Sequence, residues 1–173
     1  MMNTRLPKVC FVLTGLYAAV RFSFYYPKLP ATVASHFDGR GTANGWQSKD
    51  AFFVVFAGVS LLAALLGFGI PRLIEAMPMR LINLPNKEYW LAGEQRTASL
   101  TFLKAHFAWF GCALLLVIVF AFNYAVQSNL HPERAPDVAG LWFVLAGFAV
   151  FMIVSTIRLF QRFGRPPSKI LSS

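Results

Sequence analysis

Four long apolar runs constrain this chain more than any other feature of its sequence. They cover residues 9–27, 51–71, 105–130 and 138–157, and only the first contains a formal charge, Arg21. About 20 helical residues, at roughly 1.5 Å each, cross the roughly 30 Å hydrocarbon core of a bilayer. In hydrocarbon the backbone must satisfy its own hydrogen bonds, and runs without period-2 alternation favour helices over barrel strands. The sequence therefore predicts an all-α integral membrane protein with four transmembrane helices.

The composition excludes several other classes of protein. Hydrophobic residues make up 57% of the chain and charged residues only 13%, whereas charged residues account for about a quarter of a soluble domain. Collagen-like, disordered, disulfide-framed and large soluble proteins are excluded. The sequence contains no P-loop, GxGxxG, GxSxG, HExxH or CxxC motif, so we expect no cofactor and favour binding over catalysis.

The distribution of Lys and Arg predicts the orientation in the membrane. An even number of spans places both termini on one side, and positively charged residues concentrate on the cytoplasmic side. Most of these residues lie at the two termini and in the connection between the second and third runs: Arg5, Lys8, Arg72, Arg80, Lys87, Arg96, Lys104, Arg158, Arg162, Arg165 and Lys169. We therefore predict cytoplasmic termini, and interpret the net charge of +9 as a topology signal with attraction to lipid headgroups, not as a nucleic-acid footprint.

The connections suggest two domains. Residues 1–104 would contain two spans, an outer loop at 28–50 and a cytoplasmic connection at 72–104, and residues 105–173 would form a helical hairpin with a short basic tail. The outer loop is rich in turn formers, so we expect it to be ordered. Asn86 is a candidate cap for an amphipathic stretch that continues into the third span. Ala63 with Gly67, and Gly140 with Gly147, have the spacing of small residues at helix contacts.

The outer loop also carries a family resemblance. It contains Leu29-Pro30, the pair His36-Phe37, Gly41, and Gly45-Trp46 followed by Lys49. This pattern resembles the signature of the SdpI-like family of small bacterial polytopic membrane proteins, whose N-terminal part is a domain of unknown function. The segment from Leu84 to Trp90, with Glu94 and Arg96 beyond it, is similar to the second connection of some members. Members often have a proline two residues before the His, where this chain has Ala34.

The resemblance implies a bacterial inner-membrane protein that binds a toxic peptide or a membrane protein partner, in immunity or sensing. Two groups of candidate residues follow from it. The outer-loop group, for ligand or partner binding, is His36, Phe37, Asp38, Gly41, Gly45, Trp46 and Lys49, and the group in the cytoplasmic connection is Asn86, Glu88, Trp90, Glu94 and Arg96. A purely structural interpretation is equally open for the loop, with Trp46 as an interfacial residue, Asp38 as a turn residue and the glycines permitting bends.

Two further possibilities concern ionisable side chains. His36 and His131, with Asp38 and either Glu133 or Asp137, are candidate zinc ligands of an envelope enzyme, although their spacing is not that of a metal motif; we predict no metal. For Arg21 we favour a side chain that extends to the headgroups of the outer leaflet, because Pro27 follows closely. Asn123 could form a hydrogen bond between helices. The identity of the ligand and the oligomeric state are not predicted.

Overall fold

The computed structural model describes residues 4–134 and 137–166, and the tail of the predicted second domain beyond Pro166 lies outside them. Four of its helices are long and apolar enough to cross a membrane, which indicates a multi-pass membrane protein in a lipid bilayer and agrees with the four predicted spans. Each is longer than its apolar run. Their bounds are Arg5–Lys28, Lys49–Ala76, Gln95–Leu130 and Val138–Phe163.

The elements follow one another in a simple up-and-down order. The first long helix is α1 (Arg5–Tyr25) with a 3-10 turn (Tyr26–Lys28), and strands β1 (Thr32–Phe37) and β2 (Ala43–Ser48) come next. The second comprises α2 (Lys49–Ala64), a π-helical turn (Leu65–Gly69) and α3 (Ile70–Ala76). A 3-10 turn (Met79–Leu81) and the short α4 (Lys87–Trp90) lead to α5 (Gln95–Leu130) and α6 (Val138–Phe163). We call the end of the bundle with the strands the hairpin end, and the opposite end, which contains most of the Lys and Arg residues, the basic end.

The two strands correct the all-α prediction for the segment between the first two helices. They pair antiparallel from Thr32 opposite Ser48 to Phe37 opposite Ala43. β1 contains β-branched and aromatic residues, and a short glycine-containing segment separates it from β2, which together favour a β-hairpin. The sequence analysis predicted an ordered loop from the turn formers but did not identify the strands on either side. We call residues 32–48 the hairpin.

Helix α5 lies at the centre of the bundle. It contacts α1, the π-helical turn, α2, α3, β1 and α6. Its buried residues Leu115 and Val126 pack with Phe22 of α1, Phe52 of α2 and Val33 of β1 in one apolar cluster. The hairpin therefore belongs to the same core as the helices, because Val33 is fully buried among their side chains.

The helix contact at Gly111 is between backbones. A Cβ atom added at Gly111 of α5 would lie 2.8 Å from Gly67 Cα and 2.9 Å from the Ala63 carbonyl oxygen. Ala63 and Gly67 thus form a helix contact, as their spacing predicts. Among the residues that the structure describes, the second pair makes no helix contact. Within the described part of the chain, a Cβ at Gly147 would meet no atom within 4 Å, and Gly140 lies beside the Asp137 carboxylate that caps α6.

The connection at the basic end runs directly into the third long helix, as predicted, since α5 begins at Gln95. The proposed boundary between residues 104 and 105 therefore falls inside one helix, and the division into two domains stays a prediction.

We expect Gly111→Ala to destabilise the protein by about 1–3 kcal/mol, the range for overpacking a close contact. The reason is that the new methyl group would meet backbone atoms of the second long helix, which cannot rotate away. Thermal unfolding in detergent measures the effect. Gly147→Ala is the matched control, because its methyl group would enter open space, and an equal fall in Tm for both variants would contradict this helix contact.

Candidate functional site

The hairpin turn is formed by Asp38 and Gly41. The Asp38 carboxylate accepts hydrogen bonds from the backbone N–H groups of Arg40 and Thr42, both at 2.9 Å. The backbone N–H of Gly41 donates to the Asp38 carbonyl at 2.9 Å, and Gly41 has a φ of 84°, which favours glycine. This geometry supports the structural interpretation of Asp38 and Gly41, because the carboxylate is already engaged in the turn.

His36 and Gly45 lie opposite each other beside an irregularity of the strand pairing. A Cβ atom added at Gly45 would lie 2.8 Å from the His36 Cβ, so a larger residue at position 45 would displace the histidine. The His36 residue itself is exposed. Gly45 therefore has a steric role, and the imidazole remains available to a ligand.

The hairpin is fixed to the end of α5 by Asn129, which the sequence analysis missed. Its Oδ1 accepts from the backbone N–H of Ala34 at 2.8 Å, and its Nδ2 donates to the Ala34 carbonyl, also at 2.8 Å. The same Nδ2 donates to the Ala125 carbonyl within α5 at 2.8 Å. The side-chain amide thus pairs with β1 as a neighbouring strand would. A proline at position 34 has no N–H to donate, so Ala34 permits this contact.

Two further contacts attach the hairpin to the helices around it, and a third joins the two long helices beside it. Phe37 packs edge-to-face on Tyr124 of α5 with a centroid distance of 5.2 Å. At the turn, Trp142 of α6 donates from Nε1 to the Gly39 carbonyl at 3.3 Å. After β2, the Lys49 ammonium lies 4.8 Å from the ring centroid of Tyr26. Phe37 and Lys49 are thus positioned by contacts within the protein.

Trp46 is the candidate residue most clearly displayed to the surroundings. Residues along β2 alternate between half-buried and exposed, and Asn44, Trp46 and Ser48 are on the exposed side. Trp46 retains 62% of its accessible surface, although it lies in a paired strand opposite Ala34. A large aromatic side chain on a fixed backbone is the kind of residue that dominates protein interfaces.

A polar cavity of about 340 Å³ lies beside the hairpin end of α5. Its lining includes Tyr124, Gln127, His131, Arg134 and Asp137. In the described residues, the Gln127 Nε2 is buried without a hydrogen-bond partner, so it is a donor available to a ligand or to water. An apolar groove of about 400 Å³ between α1 and α5 adjoins this cavity, with which it shares two lining residues, Phe120 and Asn123.

The candidate zinc ligands are not assembled as a metal site. Across residues 4–134 and 137–166, no group of three or more His, Cys, Asp and Glu residues could hold a metal ion. His131 instead lies 3.4 Å from Glu133, measured from Nδ1 to Oε1. The backbone N–H of Glu133 donates a hydrogen bond to the Glu133 carboxylate, and this bond, together with His131 and Arg134, lowers the pKa of that carboxyl. Glu133 is therefore ionised at neutral pH.

Arg21 makes a contact different from the one favoured by the sequence analysis. Its Nη2 donates to Asn123 Oδ1 of α5 at 3.0 Å, and the guanidinium lies 4.8 Å from the ring centroid of Tyr25. The hydrogen bond between helices predicted for Asn123 is confirmed. The Arg21 guanidinium thus lies against a neutral amide and an aromatic face, and its extension to the headgroups of the outer leaflet stays a prediction.

At the basic end, the connection between the second and third long helices binds the end of α6. Asn86 occupies the position before α4, but its amide points away from that helix and donates to the carbonyls of Phe163 and Gly164, both at 3.1 Å. Trp90 donates from Nε1 to the Phe163 carbonyl, also at 3.1 Å. Asn86 is therefore a cap for α6 and not the expected cap for α4, and these carbonyls obtain the partners that a helix end lacks.

The other residues of this group lie apart. Arg96 donates from Nη2 to the Glu75 carbonyl at 3.2 Å, which connects the start of α5 to α3. Glu88 and Glu94 are exposed. The structure thus gives Asn86, Trp90 and Arg96 clear packing roles and leaves the two glutamates on the surface.

Comparison with known families matches residues 11–62 to a family described as Domain of unknown function (DUF1648). The matched segment contains most of α1, the whole hairpin and most of α2. Comparison with curated proteins and with solved structures gives no match. The family match therefore includes His36 and Trp46 and supplies no function for them.

We expect Asn129→Leu to release the hairpin from α5, because the N–H and C=O of Ala34 would then face an apolar side chain. An unpaired buried polar group costs about 1–3 kcal/mol. Hydrogen–deuterium exchange of peptides covering residues 32–48 should become faster, while exchange in α6 should stay unchanged. Asn44→Ala is the matched control in the hairpin, since Asn44 is exposed. Unchanged exchange in Asn129→Leu would show that this amide does not fix the hairpin.

Proposed function

We propose that this chain is an SdpI-like protein of the bacterial inner membrane, with cytoplasmic termini, that binds a toxic peptide through the hairpin and thereby confers immunity. The observation that carries the proposal is the combination of a firmly attached hairpin and an exposed recognition surface. Asn129 pairs with β1, while Trp46 on β2 keeps 62% of its surface accessible. A fixed backbone reduces the ordering cost of binding, and tryptophan is a frequent hot-spot residue.

The charge distribution supports the orientation in this proposal. The hairpin end has four basic residues, Lys28, Arg40, Lys49 and Arg134, and four acidic residues, Asp38, Asp50, Glu133 and Asp137. The remaining Lys and Arg of the described residues, except Arg21, belong to the opposite end, where only Glu75, Glu88 and Glu94 oppose them. Such an imbalance is typical of a cytoplasmic face. The hairpin would then meet ligands that arrive from outside the cell.

The shape of the hairpin end supports an amphipathic ligand. The polar cavity around Gln127, His131 and Arg134 adjoins an apolar groove lined by Tyr17 and Leu116, among others. A toxic peptide that inserts into membranes has both apolar and polar faces, so it could contact Trp46 and His36 first and then use both surfaces. A lipid-linked envelope component or a membrane protein partner has similar chemistry and is the alternative outcome of the test.

The test is survival of a peptide-sensitive bacterium that expresses the chain and is challenged with a sporulation-delaying type of toxic peptide. We expect protection by the wild type and its loss in Trp46→Ala and His36→Ala. Removal of a hot-spot aromatic residue costs about 2 kcal/mol or more, roughly thirtyfold in affinity. Asn44→Ala, on the same exposed side of β2 as Trp46, should protect as well as the wild type at equal expression.

Two results would overturn parts of this proposal separately. If the wild type gives no protection at confirmed expression, immunity is wrong, and a stable partner in mild detergent would indicate an accessory subunit. If the wild type protects and both variants protect equally well, immunity stands but the hairpin is not the binding site.

Orientation is tested with single cysteines at exposed positions. We expect a membrane-impermeant maleimide to label Asn44→Cys in intact spheroplasts and to label Glu88→Cys only after lysis, since the two residues belong to opposite ends. Labelling of Glu88→Cys in intact spheroplasts would reverse the proposed topology. The background is a variant with Cys10 and Cys112, the two native cysteines, replaced by alanine.

A further inference from the structure

A second cavity lies at the basic end, between the first turns of α1, the start of α3 and the first part of α5. Its volume is about 140 Å³. Three basic side chains and one acidic side chain belong to its lining, which comprises Thr4, Lys8, Gly67, Phe68, Pro71, Arg72, Glu75 and Lys104. We call it the basic cavity. It is far along the bundle from the hairpin and shares no residue with the surface proposed to bind a peptide.

The π-helical turn Leu65–Gly69 contributes to this cavity. Pro71 has no N–H to donate to the preceding turn, and the carbonyl of Phe68 accepts a hydrogen bond from Arg72 Nη1 at 3.2 Å. Gly67, in the same turn, lies so close to Gly111 of α5 that a Cβ atom added at Gly67 would lie 3.0 Å from the Gly111 Cα. The π-helical turn thus supplies the carbonyl that binds the Arg72 guanidinium, and both Phe68 and Arg72 line the cavity. Such π-bulges occur frequently at functional sites.

The charges of the basic cavity favour an anion. Lys104 Nζ lies 2.8 Å from Glu75 Oε2, so this pair neutralises itself. Lys8 and Arg72 remain, and among the described residues neither makes an ion pair. The N-terminus of α1 adds the positive end of a helix dipole, since Thr4 at its N-cap also contributes to the lining. An anion in the cavity would therefore meet the two cations Lys8 and Arg72 and the N-terminus of α1, while the negative charge of Glu75 is neutralised by Lys104.

The surroundings indicate a lipid as the source of that anion. Leu6 and Val9, close to Lys8 in the chain, and Leu73, which follows Arg72, each expose more than half of their surface, as residues that face acyl chains do. The cavity lies at the ends of helices long enough to span a bilayer, where headgroups are concentrated. Basic pockets between transmembrane helices on the cytoplasmic side are known to bind anionic headgroups.

We propose that the basic cavity binds the phosphate of an anionic phospholipid headgroup through Lys8 and Arg72. The phosphate would lie between the ammonium and guanidinium groups, and the acyl chains would follow the exposed apolar faces of α1 and α3. Bound lipid would connect the first two long helices at an end where the described contacts run mainly through α5.

The experiment measures lipid binding to the purified full chain by native mass spectrometry, with thermal stabilisation in detergent as a second readout. The probes are phosphatidylglycerol, phosphatidylcholine and inorganic phosphate at equal concentration. We expect the wild type to retain phosphatidylglycerol and to gain Tm with it, with little effect of the other two. The double variant Lys8→Gln/Arg72→Gln should bind phosphatidylglycerol at least about tenfold more weakly, since each basic residue near the surface contributes about fivefold.

The matched control is Arg158→Gln/Arg165→Gln, which removes the same charge from exposed positions of the same end and should bind as the wild type does. Equal weakening in both double variants would overturn the proposal in favour of a diffuse electrostatic effect. If inorganic phosphate stabilises the protein as much as phosphatidylglycerol does, the anion is free phosphate and the proposed lipid is wrong. If phosphatidylcholine binds as tightly as phosphatidylglycerol, the preference for an anionic headgroup is wrong. If the double variant does not fold, Lys8→Gln alone should still weaken binding several-fold, and unchanged binding in it would contradict the site.

Discussion

The backbone contact between Gly67 and Gly111 sets the distance between the second and third long helices. In a bilayer the hydrophobic effect does not drive helices together, so close packing of backbones has an unusually large share in their association. Because α5 approaches so closely, it can also reach α1, β1 and α6 from its remaining sides. The π-helical turn that contains Gly67 also offers the Phe68 carbonyl to Arg72, and these residues line the basic cavity. Gly67 thus belongs both to this helix contact and to the lining of the proposed lipid site.

Three asparagines make the connections that apolar packing cannot make. Asn123 binds Arg21, Asn129 binds both backbone groups of Ala34, and Asn86 binds the final carbonyls of α6. The bonds of Asn123 and Asn129 are partly buried, and an unpaired polar group in such surroundings is costly. Asn129 also protects the strand edge at Ala34, since exposed edges invite pairing with other chains. Asn129 thus attaches the hairpin to α5, and Asn86 attaches the end of α6, a helix with little buried surface, to the connection at the basic end.

The two ends of the molecule differ in their chemistry, and the two proposals follow that difference. At the hairpin end, acidic and basic side chains balance, and an exposed tryptophan stands on a strand whose backbone is paired. At the basic end, cations exceed carboxylates and surround a small cavity beside apolar helix faces. A peptide that uses aromatic contacts suits the first end, and a phosphate headgroup suits the second.

The sequence by itself determined the four long helices and the direct continuation of the connection into α5, and it offered a turn role for Asp38 and Gly41 as one of two interpretations, because hydropathy and turn chemistry act between near neighbours. It also identified Ala63 and Gly67 as contact residues. Only the tertiary structure decided that Arg21 faces Asn123, 102 positions away, and that Asn129 binds Ala34, 95 positions away. Nothing local distinguishes Asn129 from any other polar residue near a helix end. Its role arises when packing around α5 brings a strand within reach, since a hydrogen bond requires both partners at about 3 Å.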